Sequence, residues 1–191
     1  MSPETWSLLL EAVAVLFGLA CVWLMKKVKV AAFPVGLVNV LLYVYIFFQS
    51  RLYANAAING YFVLTSIYGW YNWSRVDSAN EHIRITRSSR LELILSAGAV
   101  VLLFFIIRAV LVKFTETVIP SWDAGTTAGY MVAQWMLSRK KIEHWVLWIA
   151  GDAVMTGICI WQGLYFTGFQ YLVFTVIAAM GLHEWKGKLQ P

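Results

Sequence analysis

Residues 145–152 read WVLWIAGD, and the reading of this stretch decides what kind of chain it belongs to. It lies inside an apolar run over 142–160, long enough to cross a bilayer, yet it ends in a carboxylate. On a helix, positions i, i+3 and i+7 share a face, so Trp145, Trp148 and Asp152 point the same way. An ionisable group at mid-membrane depth costs roughly 3 kcal/mol or more unless it meets a polar cavity or a partner. Asp152 therefore marks a functional site, and indole faces beside a carboxylate suit an organic cation.

Composition points to the same class. Of 191 residues, 60% are hydrophobic and 13% charged, with a mean hydropathy of +0.68. Soluble domains carry about 25% charged residues, so this is expected to be an all-α polytopic membrane protein. The net charge of +5 reads as membrane orientation, because no basic stretch is interleaved with aromatics as a nucleic-acid surface would be. Cys21 and Cys159 each lie in an apolar run as small hydrophobes, and His82, His144 and His183 are scattered. No metal or cofactor is expected. The N-terminal MSPETWSLLLEAVAV lacks a basic n-region and reads as a first span, not as a signal peptide.

Seven apolar segments follow, at about 6–25, 31–49, 52–73, 91–112, 120–137, 142–160 and 164–185, each near the roughly 20 residues a span needs. The loops joining them alternate in charge. Lys26, Lys27, Lys29, Arg75, Arg84, Arg87, Arg90, Arg139, Lys140, Lys141, Lys186 and Lys188 fall on one side, Arg51 and Lys113 on the other. Twelve against two predicts an outside N-terminus and a cytoplasmic C-terminus.

The chain also repeats. Shifted by 112 positions, Trp23 falls on Trp135, Lys29 on Lys141, Ile46 on Ile158, Leu52-Tyr53 on Leu164-Tyr165, Phe62 on Phe174, Gly69 on Gly181 and Trp73 on Trp185. Glu11 falls on Asp123. The expected organisation is a 3+1+3 arrangement. Residues 1–73 form a first triple-helix repeat and 74–117 a cytoplasmic loop with connector helix 4. Residues 118–185 form a second, parallel repeat and 186–191 a cytoplasmic tail. In transporters of this design the substrate site lies between repeats near the midplane.

Several side chains are candidates for that site. Trp148 and Asp152 lie deep in their span; Trp145, one turn inside the basic loop, reads equally as part of an interfacial belt. Asn39 stands one residue from the pseudo-symmetric position of Asp152, as a ligand contact or as a hydrogen bond between helices. Trp70 lies in IYGWYNW at 67–73, where a belt and a site are equally good readings. Thr127, Tyr130 and Gln134 form a polar stripe down the fifth segment, suited to a hydroxyl-rich ligand or to helix contacts. Glu11 offers a proton-coupling acid or an exposed end. No phosphate loop or nucleophile elbow occurs, so no enzyme is expected.

IYGWYNW at 67–73, W-x-x-W-x-x-x-D at 145–152 and GLYFTGFQYLVFTVIAAMGLHEWK at 163–186 resemble the signature segments of the PnuC family of bacterial vitamin transporters. The three-one-three layout does so too, and is shared with SWEET-type sugar transporters. The resemblance implies a homotrimer in the bacterial inner membrane that takes up nicotinamide riboside by facilitated diffusion, with phosphorylation by a cytoplasmic kinase trapping the product. Relatives carry thiamine or riboflavin. Nicotinamide riboside and thiamine are both organic cations suited to Asp152, and the polar stripe favours a ribose. A thiamine transporter and a proton-coupled carrier are the alternatives.

Overall fold

The computed structural model describes residues 3–49, 51–75 and 84–189, apart from the side chains of 3–8 and of Glu11. The proton-coupling reading of Glu11 and the middle of the 74–90 loop lie outside the described residues. Within them are seven helices: α1 (Pro3–Lys26), α2 (Ala32–Gln49), α3 (Tyr53–Ser74), α4 (Arg90–Phe114), α5 (Pro120–Ser138), α6 (His144–Trp161) and α7 (Tyr165–Lys186). They match the seven apolar segments to within a turn. Four of them, α2, α4, α6 and α7, are long and apolar enough to cross a membrane. Of the others, α3 and α5 are diluted by polar residues: Asn55, Asn59, Thr65, Ser66 and Asn72 in α3, Asp123, Thr126, Thr127 and Gln134 in α5. Thr65 and Thr126 return their hydroxyls to carbonyls one turn back, which hides that polarity from lipid.

Contacts divide the chain into two units, Met1–Ile83 and Arg84–Pro191. In the first, α2 packs against α1 and α3; in the second, α6 packs against α5 and α7, and α4 lies on α5.

The two units share their backbone details at the 112-residue spacing. Val28, at φ 58°, and Lys140, at φ 62°, close α1 and α5 in the left-handed region; Arg51, at φ 59°, and Gly163, at φ 76°, close α2 and α6. Each closure is the same doubly bonded helix stop. The Val28 and Lys29 amides donate to Met25 and Leu24, and those of Lys140 and Lys141 donate to Leu137 and Met136. Likewise the Arg51 and Leu52 amides reach Phe48 and Phe47, and those of Gly163 and Leu164 reach Ile160 and Cys159. A β-branched residue in this conformation is strained by roughly 1–2 kcal/mol, which the fold tolerates at Val28.

An aromatic wedge recurs as well. Phe33 meets Trp73 edge-on at 5.1 Å and 77°; 112 residues later Trp145 meets Trp185 at 5.6 Å and 90°. All four side chains are buried. Trp145 lies flat against Gly181, where a Cβ would sit 2.6 Å from Cζ2 of the indole.

The second unit has a polar clasp at the basic end of its helices. The Thr86 amide donates to Lys140 O, and the Ile142 amide donates to Thr86 O, both at 3.0 Å. Glu143 Oε2 accepts from the amide and hydroxyl of Ser88 at 3.0 and 2.9 Å. Lys141 Nζ bonds Arg87 O at 3.2 Å and pairs with Glu92 at 3.0 Å. Glu92 also completes a reciprocal cap with Ser89 at the start of α4. These bonds fasten α4 to the α5–α6 loop, which is why the connector groups with the second unit.

Two substitutions test this reading by thermal unfolding in detergent. Val28→Gly should raise the midpoint, relieving about 1 kcal/mol of backbone strain. Gly181→Ala should lower it, because the added methyl displaces the Trp145 ring at a cost of about 1–3 kcal/mol.

Candidate functional site

The α5–α6 pair positions the residues that matter. Pro120 starts α5 at a position where its missing amide costs nothing, and the left-handed stop at Lys140 turns the chain into α6. Helical spacing then sets Thr127, Tyr130 and Gln134 along one stripe of α5, and Trp148 and Asp152 along one stripe of α6.

Asp152 is 4% exposed. Its Oδ1 accepts a hydrogen bond from the Tyr130 hydroxyl at 2.8 Å. The Tyr130 ring also stacks on Trp148, with centroids 4.8 Å apart and planes inclined by 23°. One phenol thus touches both the acid and the indole. It can do so because residue 151 is glycine: a Cβ there would overlap the ring, 2.9 Å from Cζ. The Asp152 backbone carbonyl is engaged separately, accepting from Thr156 Oγ1 at 2.8 Å. Among the described residues no hydrogen bond is shown to Asp152 Oδ2.

Tyr130, Trp148 and Asp152 therefore form one contact, and Gln134, half-buried, lies one turn further along α5. Trp145 is elsewhere on α6, 2% exposed, against His144, Trp185 and Gly181. Among the described residues its Nε1 and His144 Nε2 are buried without a hydrogen-bond partner; His144 Nδ1 is 2.7 Å from Lys141 O. Asn39 and Trp70 belong to the other unit. Asn39 Nδ2 donates to Ala14 O at 2.7 Å, tying α2 to α1, and Trp70 is 42% exposed on α3.

Sequence reasoning passed over two residues. Gly151 carried a signal, since it precedes the buried acid and falls opposite Asn39 in the repeat. Glu143 carried none, because a glutamate in a basic loop is common.

A helical chain with spans of this length, and with an acid and a polar stripe inside them, has the build of a polytopic membrane protein. The chain belongs to the nicotinamide mononucleotide transporter family, whose sequence model matches residues 8–187. It is 31% identical to the nicotinamide riboside transporter PnuC of Escherichia coli, over 92% of this chain and 84% of that one. It is 26% identical to the riboflavin/roseoflavin transporter RibM of Streptomyces davaonensis, over 72% and 66%. The fold matches the crystal structure of the vitamin B3 transporter PnuC with a TM-score of 0.75 at 22% identity, over 98% of this chain and 83% of that one.

The surroundings of Trp145 generate a direct check. Trp145→Phe installs the residue that the first unit uses at this register, and keeps an edge-on contact with Trp185. Thermal stability should fall by no more than about 1 kcal/mol, and ligand affinity measured by calorimetry should stay within about twofold. A larger loss of affinity at unchanged stability would place Trp145 in the binding site.

Proposed function

We infer that this chain carries nicotinamide riboside across the bacterial inner membrane by facilitated diffusion, without chemistry on the substrate. The observation that carries this reading is the buried Asp152 carboxylate, joined through Tyr130 to the ring of Trp148. An indole face and an acid together suit a pyridinium ring, since cation–π attraction and charge pairing both strengthen when water is excluded. Gln134 supplies hydrogen bonds for the ribose hydroxyls.

The family description names the mononucleotide, whereas the relatives with high coverage carry the riboside in their names. The sequence favours the riboside. A phosphate calls for Arg or Lys, and neither occurs in α5 or α6, where the nearest charge is the acid itself. Neutral riboflavin gains less from Asp152; thiamine, a cation, is the second reading, favoured by that same acid. The twelve-to-two distribution of Lys and Arg supports an outside N-terminus and a cytoplasmic C-terminus. The resemblance set out in the sequence supports a homotrimer with kinase-driven trapping. The 112-residue register supports a functional division into 1–73, 74–117, 118–185 and 186–191, with two triple-helix repeats on either side of connector helix 4.

Calorimetry on purified protein with nicotinamide riboside, thiamine and riboflavin tests the assignment. The riboside should bind best, and Asp152→Ala should weaken it by about 10- to 100-fold, or about 1.4–2.8 kcal/mol. Unchanged affinity in that variant would sink the site. In liposomes, uptake should stop at equal concentrations and ignore a pH gradient; accumulation driven by the gradient would make the protein a proton-coupled carrier.

A further inference from the structure

The two units share backbone turns and an aromatic wedge but not chemistry. In the 112-residue register, Thr127, Tyr130, Gln134, Trp148 and Asp152 stand opposite Val15, Gly18, Val22, Gly36 and Val40. Every position that builds the polar contact in the second unit is apolar or glycine in the first. The helix crossing is filled differently. In the second unit the large residue is on α5, Tyr130, lying over Gly151 of α6. In the first unit the register gives Gly18 on α1 and Asn39 on α2, and Asn39 reaches across to the α1 backbone at Ala14. Asn39 and Tyr130 each reach across to the neighbouring helix, but only Tyr130 reaches a carboxyl group.

We propose that Tyr130 is the positioning residue for charge selection, that Gly151 is the residue that lets it act, and that the second unit alone carries this selection. The phenol does two things at once. Its hydroxyl holds Asp152 Oδ1, which fixes the carboxylate, and its ring sets the plane of Trp148. A hydrogen bond to a carboxylate gives direction as well as energy, and an off-position acid loses most of its pairing with a rigid cation. The proposal rests on the reading of the substrate as nicotinamide riboside, and its test separates the two.

The probes are nicotinamide riboside and its uncharged 1,4-dihydro form, with affinities measured by calorimetry in detergent. Tyr130→Phe keeps the stack and removes the hydroxyl. The cation's affinity should fall about tenfold while that of the dihydro form changes by less than about twofold. Equal losses for both forms, or none, overturn the positioning role. Asn39→Ala should move both forms alike, leaving their ratio as in the unaltered protein; a changed ratio would place charge selection in the first unit as well. Gly151→Ala should cost the cation about tenfold where Tyr130 is present and less than about twofold in a Tyr130→Ala background, because the methyl then meets no ring. Additive losses overturn the role of Gly151. The same four proteins of this cycle are unfolded by heat without ligand, where the non-additivity should reappear in the midpoints. If the unaltered protein binds neither riboside, the proposed function fails, and the unfolding cycle still decides whether Gly151 acts through Tyr130.

Discussion

A carboxyl group inside a membrane-spanning helix must be met by a donor, and here one hydrogen bond from Tyr130 meets it. That bond constrains what surrounds it. It brings α5 and α6 close at the height of residue 151, which has room only for glycine. It orients a ring whose flat face must be covered, and Trp148 covers it. It also explains why α5, among the least apolar helices, is one of the most thoroughly buried, with Ala124, Ala128, Val132 and Ala133 turned inward. Small residues on that face permit the approach that the polar contact needs.

The repeat shows which parts of such a unit are architecture and which are function. Helix ends are set by backbone bonds, and these recur at 28 and 140 and at 51 and 163, although the residues there are Val, Lys, Arg and Gly. A left-handed stop held by two backbone bonds works for any residue that the fold can hold under modest strain. Side chains between the stops are free to diverge as long as helix packing survives. Where the second unit holds the acid, the phenol and the amide, the first has Val40, Gly18 and Val22.

Much of this was legible in the sequence, for identifiable reasons. Apolar runs of span length gave seven helices to within a turn, because hydrophobic length is a one-dimensional property. The face shared by Trp148 and Asp152 followed from helical spacing alone. Tyr130 was recognised as polar and inward, but its role as a partner of Asp152 depends on how α5 is rotated against α6, which spacing within one helix does not encode. Glu143 and Glu92 were invisible for the same reason. Their partners, Ser88 and Lys141, are about 50 residues away, and nothing local distinguishes a clasping acid from a solvated one.

Trp145 shows how a repeat can separate two explanations that a single helix leaves joined. Its neighbour three residues on stacks with Tyr130, and by periodicity alone both indoles deserve the same role. Phe33 occupies the matching place in the first unit and makes the matching contact with Trp73. What the two units have in common is therefore a flat ring, edge-on to a tryptophan near the end of the third helix. The indole N–H of Trp145, buried and without a hydrogen-bond partner among the described residues, takes no part in that shared contact. Trp148, by contrast, stands opposite Gly36, so no packing need common to the two units explains it, and its indole is accounted for by the contact with Tyr130 beside the buried acid.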